Sequence, residues 1–203
     1  MTMQQGFYFD QTVCTRCCTC IVACKDWHDV PAGPASYLRI KTVEKGVYPE
    51  VSVHHMFLSC YHCAEPVCVA ACPAEAITKR STDGIVVVDR DACLGKDSCG
   101  GACLDLCPYD APQFGAEPDA KMQKCDFCID RLEENKNPIC VDACPFYALD
   151  AGPVEELRTR HGGAREVEGF NPDKVDPSLV VKPRIDTRGL KVQKIVTAPR
   201  PTQ

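Results

Sequence analysis

Sixteen of the seventeen cysteines fall into four runs of four, spaced as thiolates that grip iron–sulfur cubanes. Cys14, Cys17, Cys20 and Cys24 read C-x2-C-x2-C-x3-C. Cys60, Cys63, Cys68 and Cys72 precede Pro73, and Cys93, Cys99, Cys103 and Cys107 precede Pro108. Cys125, Cys128, Cys140 and Cys144 precede Pro145. Three thiolates a few residues apart let a short loop hold three iron corners of one cubane, and the fourth corner is then supplied from elsewhere. In two-cluster iron–sulfur proteins the last cysteine of such a run reaches across to the neighbouring cluster. Four ligands per cubane imply four 4Fe-4S clusters. The prolines help by ending a local helix and restraining the cysteine before them. Small residues beside the thiolates, among them Gly95, Gly100, Gly101 and Ala143, let main-chain N–H groups approach the sulfides.

Two other uses of cysteine fit less well. A disulfide framework is opposed by the odd cysteine count and by an N-terminus, MTMQQGFYFD, without a basic segment followed by an apolar one. Zinc would suit Cys125-x2-Cys128 with Cys140-x3-Cys144. The triplets at 14–20 and 60–68 place a third thiolate where a tetrahedral zinc site has little use for it. For Cys18, left over, the sequence suggests a small buried apolar residue, or a ligand alternating with Cys17.

Without its 17 cysteines, the 45% apolar share of this 203-residue chain falls by about 8 percentage points, so the ordinary core is thin. The clusters must substitute for it, and the apoprotein is expected not to hold the fold. The formal charge is −5, and about −2 per loaded cluster takes the protein to about −13, which excludes nucleic-acid binding. Lys25, Lys96, Lys121 and Lys124 lie near cysteines. Each either offsets cluster charge and raises a reduction potential or is simply solvated. No apolar stretch reaches eighteen residues, so no membrane span is expected.

The elements that must position these thiolates point to an α+β fold with short helices and hairpins. Tyr37–Val43 and Val51–Leu58 alternate and are joined across Gly46 and Pro49, which predicts a hairpin. Residues 76–79 and 85–89 flank a Ser81–Gly84 turn and predict a second one. Short helices are expected after Pro66 and Pro138. They carry Cys68 with Cys72, and Cys140 with Cys144, four residues apart on one face, so that each face addresses two clusters. Pro153–His161 reads as a helix ended by Gly162-Gly163. We expect residues 1–150 to form the cluster domain and 151–203 a helix followed by a tail. With prolines at 172, 177, 183, 199 and 201, residues 164–203 read either as disordered or as an extended arm laid on a partner, and the apolar 177–183 segment favours the arm.

The strings Cys-Pro-Tyr-Asp-Ala-Pro-Gln-Phe (107–114), Lys-Cys-Asp-Phe-Cys-Ile-Asp-Arg-Leu (124–132), Pro-Ile-Cys-Val-Asp-Ala-Cys-Pro (138–145) and Leu-Val-Val-Lys-Pro (179–183) go beyond cysteine spacing. Across residues 7 to about 185 the chain resembles the four-cluster iron–sulfur subunits of the dimethyl sulfoxide reductase family of molybdopterin oxidoreductases. The resemblance implies two interleaved bacterial-type ferredoxin-like units, with runs 14–24 and 125–144 in one and runs 60–72 and 93–107 in the other. It implies four ligand sets: Cys14, Cys17, Cys20 with Cys144; Cys24 with Cys125, Cys128, Cys140; Cys60, Cys63, Cys68 with Cys107; Cys72 with Cys93, Cys99, Cys103. The third run departs from the family's usual C-x2-C-x2-C-x3-C. Either residues 95–98 loop outward while Cys93 binds, or Cys93 drops out and leaves a 3Fe-4S cluster.

No catalytic constellation accompanies the cysteines, and the residues lack a G-x-G-x-x-G phosphate loop. A cubane with every iron ligated by cysteine offers no open site to substrate, so an electron-transfer role follows and not a catalytic one. The resemblance implies, as partners, a large molybdenum or tungsten bis-pterin catalytic subunit and an integral membrane anchor reacting with quinone. A free soluble polyferredoxin is the alternative. Location is expected to be cytoplasmic or membrane-associated through partners, or exported already folded with a partner bearing a twin-arginine signal. Of the histidines at 28, 54, 55, 62 and 161, His62 lies close enough to Cys60 and Cys63 to tune a cluster. Trp27, Phe7, Tyr8, Phe9, Tyr109, Phe127, Phe146 and Tyr147 are expected to shield clusters from water.

Overall fold

Phe7, Tyr8 and Phe9 are buried in succession, as suits a strand covered on both faces. They belong to β1 (Gln5–Asp10), the middle strand of a three-stranded sheet. The computed structural model describes residues 3–164, 167, 175–184 and 191–196. After β1 come α1 (Thr19–Trp27), the hairpin β2 (Arg39–Val47) and β3 (Glu50–Leu58), and α2 (Val67–Ala70). The small hairpin β4 (Ile77–Lys79) and β5 (Val86–Val88) follows, then the single turns α3 (Lys96–Cys99), α4 (Ala102–Asp105), α5 (Ile129–Glu133) and α6 (Ile139–Asp142). The chain continues through β6 (Leu149–Pro153), α7 (Val154–His161), β7 (Leu179–Lys182) and β8 (Val192–Val196). This is the expected α+β fold, with both hairpins where residue alternation puts them: β2 pairs with β3 and β4 with β5, each antiparallel.

β1 pairs antiparallel with β6 and parallel with β7. The Gly6 position is set by close approach, since a Cβ there would meet the Ser178 carbonyl oxygen at 2.3 Å. Two expectations change here. The boundary expected after residue 150 falls inside β6. The apolar 177–183 stretch, read as partner-facing, is instead taken into the protein's own sheet, with Leu179, Val180 and Val181 at 2%, 2% and 0% exposure. Leu179 and Val181 join Phe7 and Phe9 in the main core, and Val180 packs with Tyr8 on the other face of the sheet, so the chain's own fold covers all three. β8 pairs with β2. Residues 165–166, 168–174, 185–190 and 197–203 of the expected tail, with Pro172, Pro199 and Pro201, lie outside the described residues.

Pro66 and Pro138 start α2 and α6 from the cap position, one residue earlier than the first helical turn. Both helices are single turns, so Cys72 and Cys144 follow the helix and do not ride on it. α7 ends at Gly162 as expected. The main core holds Phe7, Phe9, Phe57, Tyr61, Tyr109 and Phe127 together with Cys20, Cys24, Cys60, Cys125 and Cys140. A second core, holding Ile77, Val86, Leu104 and Met122, contains Cys93 and Cys103. Trp27 and Tyr147, 42% and 86% exposed, are too open to shield a cluster, whereas Phe146, 45% exposed, lines the cavity of Cys14, Cys20 and Cys144.

Candidate metal centres

Helix α1 holds Cys20 and Cys24 one turn apart on one face, both buried. Cys20 joins Cys14, Cys17 and Cys144 around one cavity. Cys24 turns toward Cys125, Cys128 and Cys140, and these four are all buried and repel one another as thiolates. Cys60, Cys63, Cys68 and Cys107 line a second cavity, and Cys72, Cys93, Cys99 and Cys103 line a third. The three cavities enclose nearly equal space, about 380, 380 and 370 Å3 including their mouths. Four thiols around two of these cavities, and the same four plus Cys18 around the first, are the donor set of one repeated group.

Each C-x3-C pair straddles two neighbouring sets. α1 packs against α6, and α2 against α4. Cys20–Cys24 and Cys140–Cys144 therefore tie the first and second sets, and Cys68–Cys72 and Cys103–Cys107 tie the third and fourth. The order is a line. Cys140 feels Cys20 of the first set, Cys125 feels Cys60 of the third, and Cys103 feels Cys68 and Cys72.

The loops carrying the thiols wrap by left-handed turns: Arg16 and Cys18 (φ 60° and 63°), His62 (φ 47°), Phe127 and Cys128 (φ 67° and 51°), and Gly95, Gly100 and Gly101. Non-glycine residues held there carry strain that surrounding structure must offset, and such strain collects at functional sites. One main-chain N–H reaches a thiol sulfur in each set: Ala148 N to Cys144 Sγ (3.3 Å), Phe127 N to Cys125 Sγ, Ala111 N to Cys107 Sγ and Met122 N to Cys93 Sγ (each 3.4 Å). These donors favour thiolate.

Burial acts the other way. It pushes Cys20, Cys24 and Cys103 up to about 12 and Cys68 and Cys128 up to about 11, with neighbouring thiols adding to the shift for the first four. Burial likewise drives Cys125 and Cys140 well above the ordinary thiol value. Buried thiols packed this closely hold thiolates only against a cationic core, which is what an iron–sulfur group brings. Cys17 is exposed and lowered, chiefly by the Thr19 hydroxyl donating to its sulfur at 3.4 Å.

The spacer of the third run takes a regular form that its sequence did not suggest. Residues 96–99 do not loop outward but fold as α3, between Gly95 (φ 90°) and Gly100 (φ 73°), and Cys93 stays on the cavity wall with Cys72, Cys99 and Cys103. Cys18 is half-buried and left-handed. Its Sγ donates to Arg16 O at 3.4 Å, and it lines the first cavity, so it is no core residue. His62 is fully buried, with Nδ1 accepting the Val86 N–H at 2.9 Å and lying 4.0 Å from Cys60 Sγ. Lys121 donates to Cys93 O at 2.5 Å and Lys25 to Ala35 O at 2.8 Å. Sequence reasoning missed His28, whose Nε2 lies 3.3 Å from Cys128 Sγ and 3.7 Å from Asp126 Oδ1. One hundred residues separate His28 from Cys128, and no local pattern joins them.

Residues 51–154 match the family model described as a 4Fe-4S dicluster domain. Over 197 residues, 93% of each sequence, the protein is 42% identical to one of the polypeptides of anaerobic dimethyl sulfoxide reductase from Escherichia coli K12. The protein belongs to the iron–sulfur subunit family of dimethyl sulfoxide reductase. One of the subunits of sulfite dehydrogenase from Allochromatium vinosum is 36% identical over 173 residues, covering 75% of this chain and 70% of that one. Protein NrfC of Escherichia coli K12 is 34% identical over 155 residues, 76% of this chain and 67% of that one. As a member of this family the chain is an electron-transfer protein with 4Fe-4S cofactors. Among the described residues, no helix is long and apolar enough to cross a membrane.

Proposed function

We propose that the chain carries four 4Fe-4S clusters, one in each set of four cysteines, and is the electron relay of a larger oxidoreductase. It works between a molybdenum or tungsten bis-pterin catalytic subunit and a second redox partner such as a quinone-reactive membrane anchor. The observation that carries this reading is the line of four sets, with neighbouring sets joined by C-x3-C pairs or by thiols close enough to interact electrostatically. When bound, a 4Fe-4S group supplies one-electron exchange at a potential set by its surroundings. The chain's residues do the rest. Cysteine holds every corner, leaving no position for substrate, so we assign no catalysis to the chain itself. The four cysteines of the second set are all buried, away from water, while Cys17 brings the first set to the surface. Main-chain N–H donors at Cys93, Cys107, Cys125 and Cys144 stabilise added negative charge.

The catalytic partner is inferred from the 42% relative, which is itself one polypeptide of a reductase and so implies at least one further chain. Through that partner the protein would be cytoplasmic or membrane-associated, or exported with it. The test is iron and acid-labile sulfide analysis of the purified protein, with electron paramagnetic resonance during a reductive titration and identification of co-purifying chains. About sixteen iron atoms, four reducible centres and a large molybdenum or tungsten chain are expected. Zinc in place of iron, or iron near eight, overturns the cluster count. Quantitative purification as a lone soluble carrier overturns the subunit assignment in favour of a free polyferredoxin.

A further inference from the structure

Lys124 precedes Cys125 in the chain, which suggests a charge serving the set of Cys24, Cys125, Cys128 and Cys140. Its side chain runs to the neighbouring set. Lys124 is 4% exposed and lines the cavity of Cys60, Cys63, Cys68 and Cys107. Its ammonium donates to the Val86 carbonyl oxygen and, at 3.0 Å, to that of Cys125. Among the described residues no carboxylate pairs with it. The main chain thus holds a cation at the junction of the two central sets. A buried ammonium facing only neutral carbonyls is strongly unfavourable unless an anion lies beside it. The groups beside it are thiols: Cys60, Cys63, Cys68 and Cys107 line the same cavity.

We infer that Lys124 is the shared counter-charge of the two central 4Fe-4S centres and holds both at higher reduction potential than the acidic chain would otherwise set. The inference rests on four centres being bound as proposed above. Each loaded centre carries net negative charge, and reduction adds one more. A terminal centre has one charged neighbour in the line and a central centre has two, so electron entry is most opposed in the middle. A fixed cation in a low-dielectric site offsets that repulsion where it is largest. Lys121 cannot substitute, because its ammonium is bound to Cys93 O at the far end of the line.

The experiment uses the intact complex carrying Lys124→Met, Lys124→Gln or Lys124→Arg, with iron content and midpoint potentials read by electron paramagnetic resonance titration. Lys124→Met and Lys124→Gln are expected to make the two central centres at least tenfold harder to reduce, 59 mV for one electron. The two terminal centres should move less, and Lys124→Arg should stay near the unmodified protein. Unchanged central potentials in a neutral variant that retains all iron overturn the inference. So does a uniform shift of all four centres. If both neutral variants lose iron, unmodified protein grown on 15N-ε-lysine decides. A lysine-nitrogen hyperfine coupling on a central centre, missing in Lys124→Arg, upholds the placement, and its absence overturns it. Iron well below sixteen in the unmodified protein would instead sink the four-centre reading itself.

Discussion

Deleting the C-terminal segment from residue 175 onward should destroy the third cysteine set and not merely uncouple a partner. Leu179, Val180 and Val181 are 2%, 2% and 0% exposed in β7. At about 1.5–3 kcal/mol for each buried side chain, their removal costs about 5–9 kcal/mol. That is an upper value, since an unfolded chain already hides some of this surface. It still rivals the whole stability of a domain, about 5–15 kcal/mol.

The loss is also local. The Asp176 carbonyl accepts from Ala64 N at 2.8 Å, Ser178 N donates to Tyr61 O at 3.0 Å, and Ser178 Oγ donates to His62 O at 3.1 Å. These bonds clamp the 60–64 loop that presents Cys60 and Cys63, and Val175 lines the same cavity. Two truncations separate the effects: one ending at Lys174, the other at Arg184. The first should yield little soluble iron-loaded protein. The second removes β8 and leaves β7, and should keep its iron. Iron per chain, together with the rate of cluster loss on warming, measures both. Full iron in the shorter protein would refute the reasoning, because β7 would then be dispensable.

Gly6→Ala should cut soluble yield and speed thermal loss of iron, since the new Cβ would stand 2.3 Å from Ser178 O and 2.6 Å from Val154 Cγ2; wild-type behaviour in a heating series would contradict the β1–β7 register. Burial raises the Asp10 carboxyl, but hydrogen bonds from Thr12 and Lys182 prevail and leave it below the ordinary carboxylate value. Its stabilisation is thus present above about pH 4 and lost as pH falls through the lowered folded value. Asp10→Asn should melt lower than wild type at pH 7, with the gap closing toward about pH 3; a gap that widens in acid would reverse the sign. Cys93→Ser should alter only the fourth set, giving a 3Fe-4S or weakly bound corner. A 3Fe-4S signal already present at one spin per molecule in wild type would place Cys93 outside the ligand set.

Much of the chemistry was legible in spacing alone. Cysteines three or four residues apart lie within one loop or one helical turn whatever surrounds them, so the donor type, the number of runs and the wrapping loops followed from local geometry. The two hairpins were legible for the same reason, alternation being a local property of strands. Which run completes which set is different. Cys24 meets Cys125 and Cys144 meets Cys20 across more than a hundred residues, and only the packing of α1 on α6 brings them together. The direction of the Lys124 side chain, the approach of His28 to Cys128 and the return of Leu179–Val181 beneath Phe7 were likewise decided by tertiary structure. Each depends on where distant main chain leaves room or supplies a partner, and residue order does not encode that at short range.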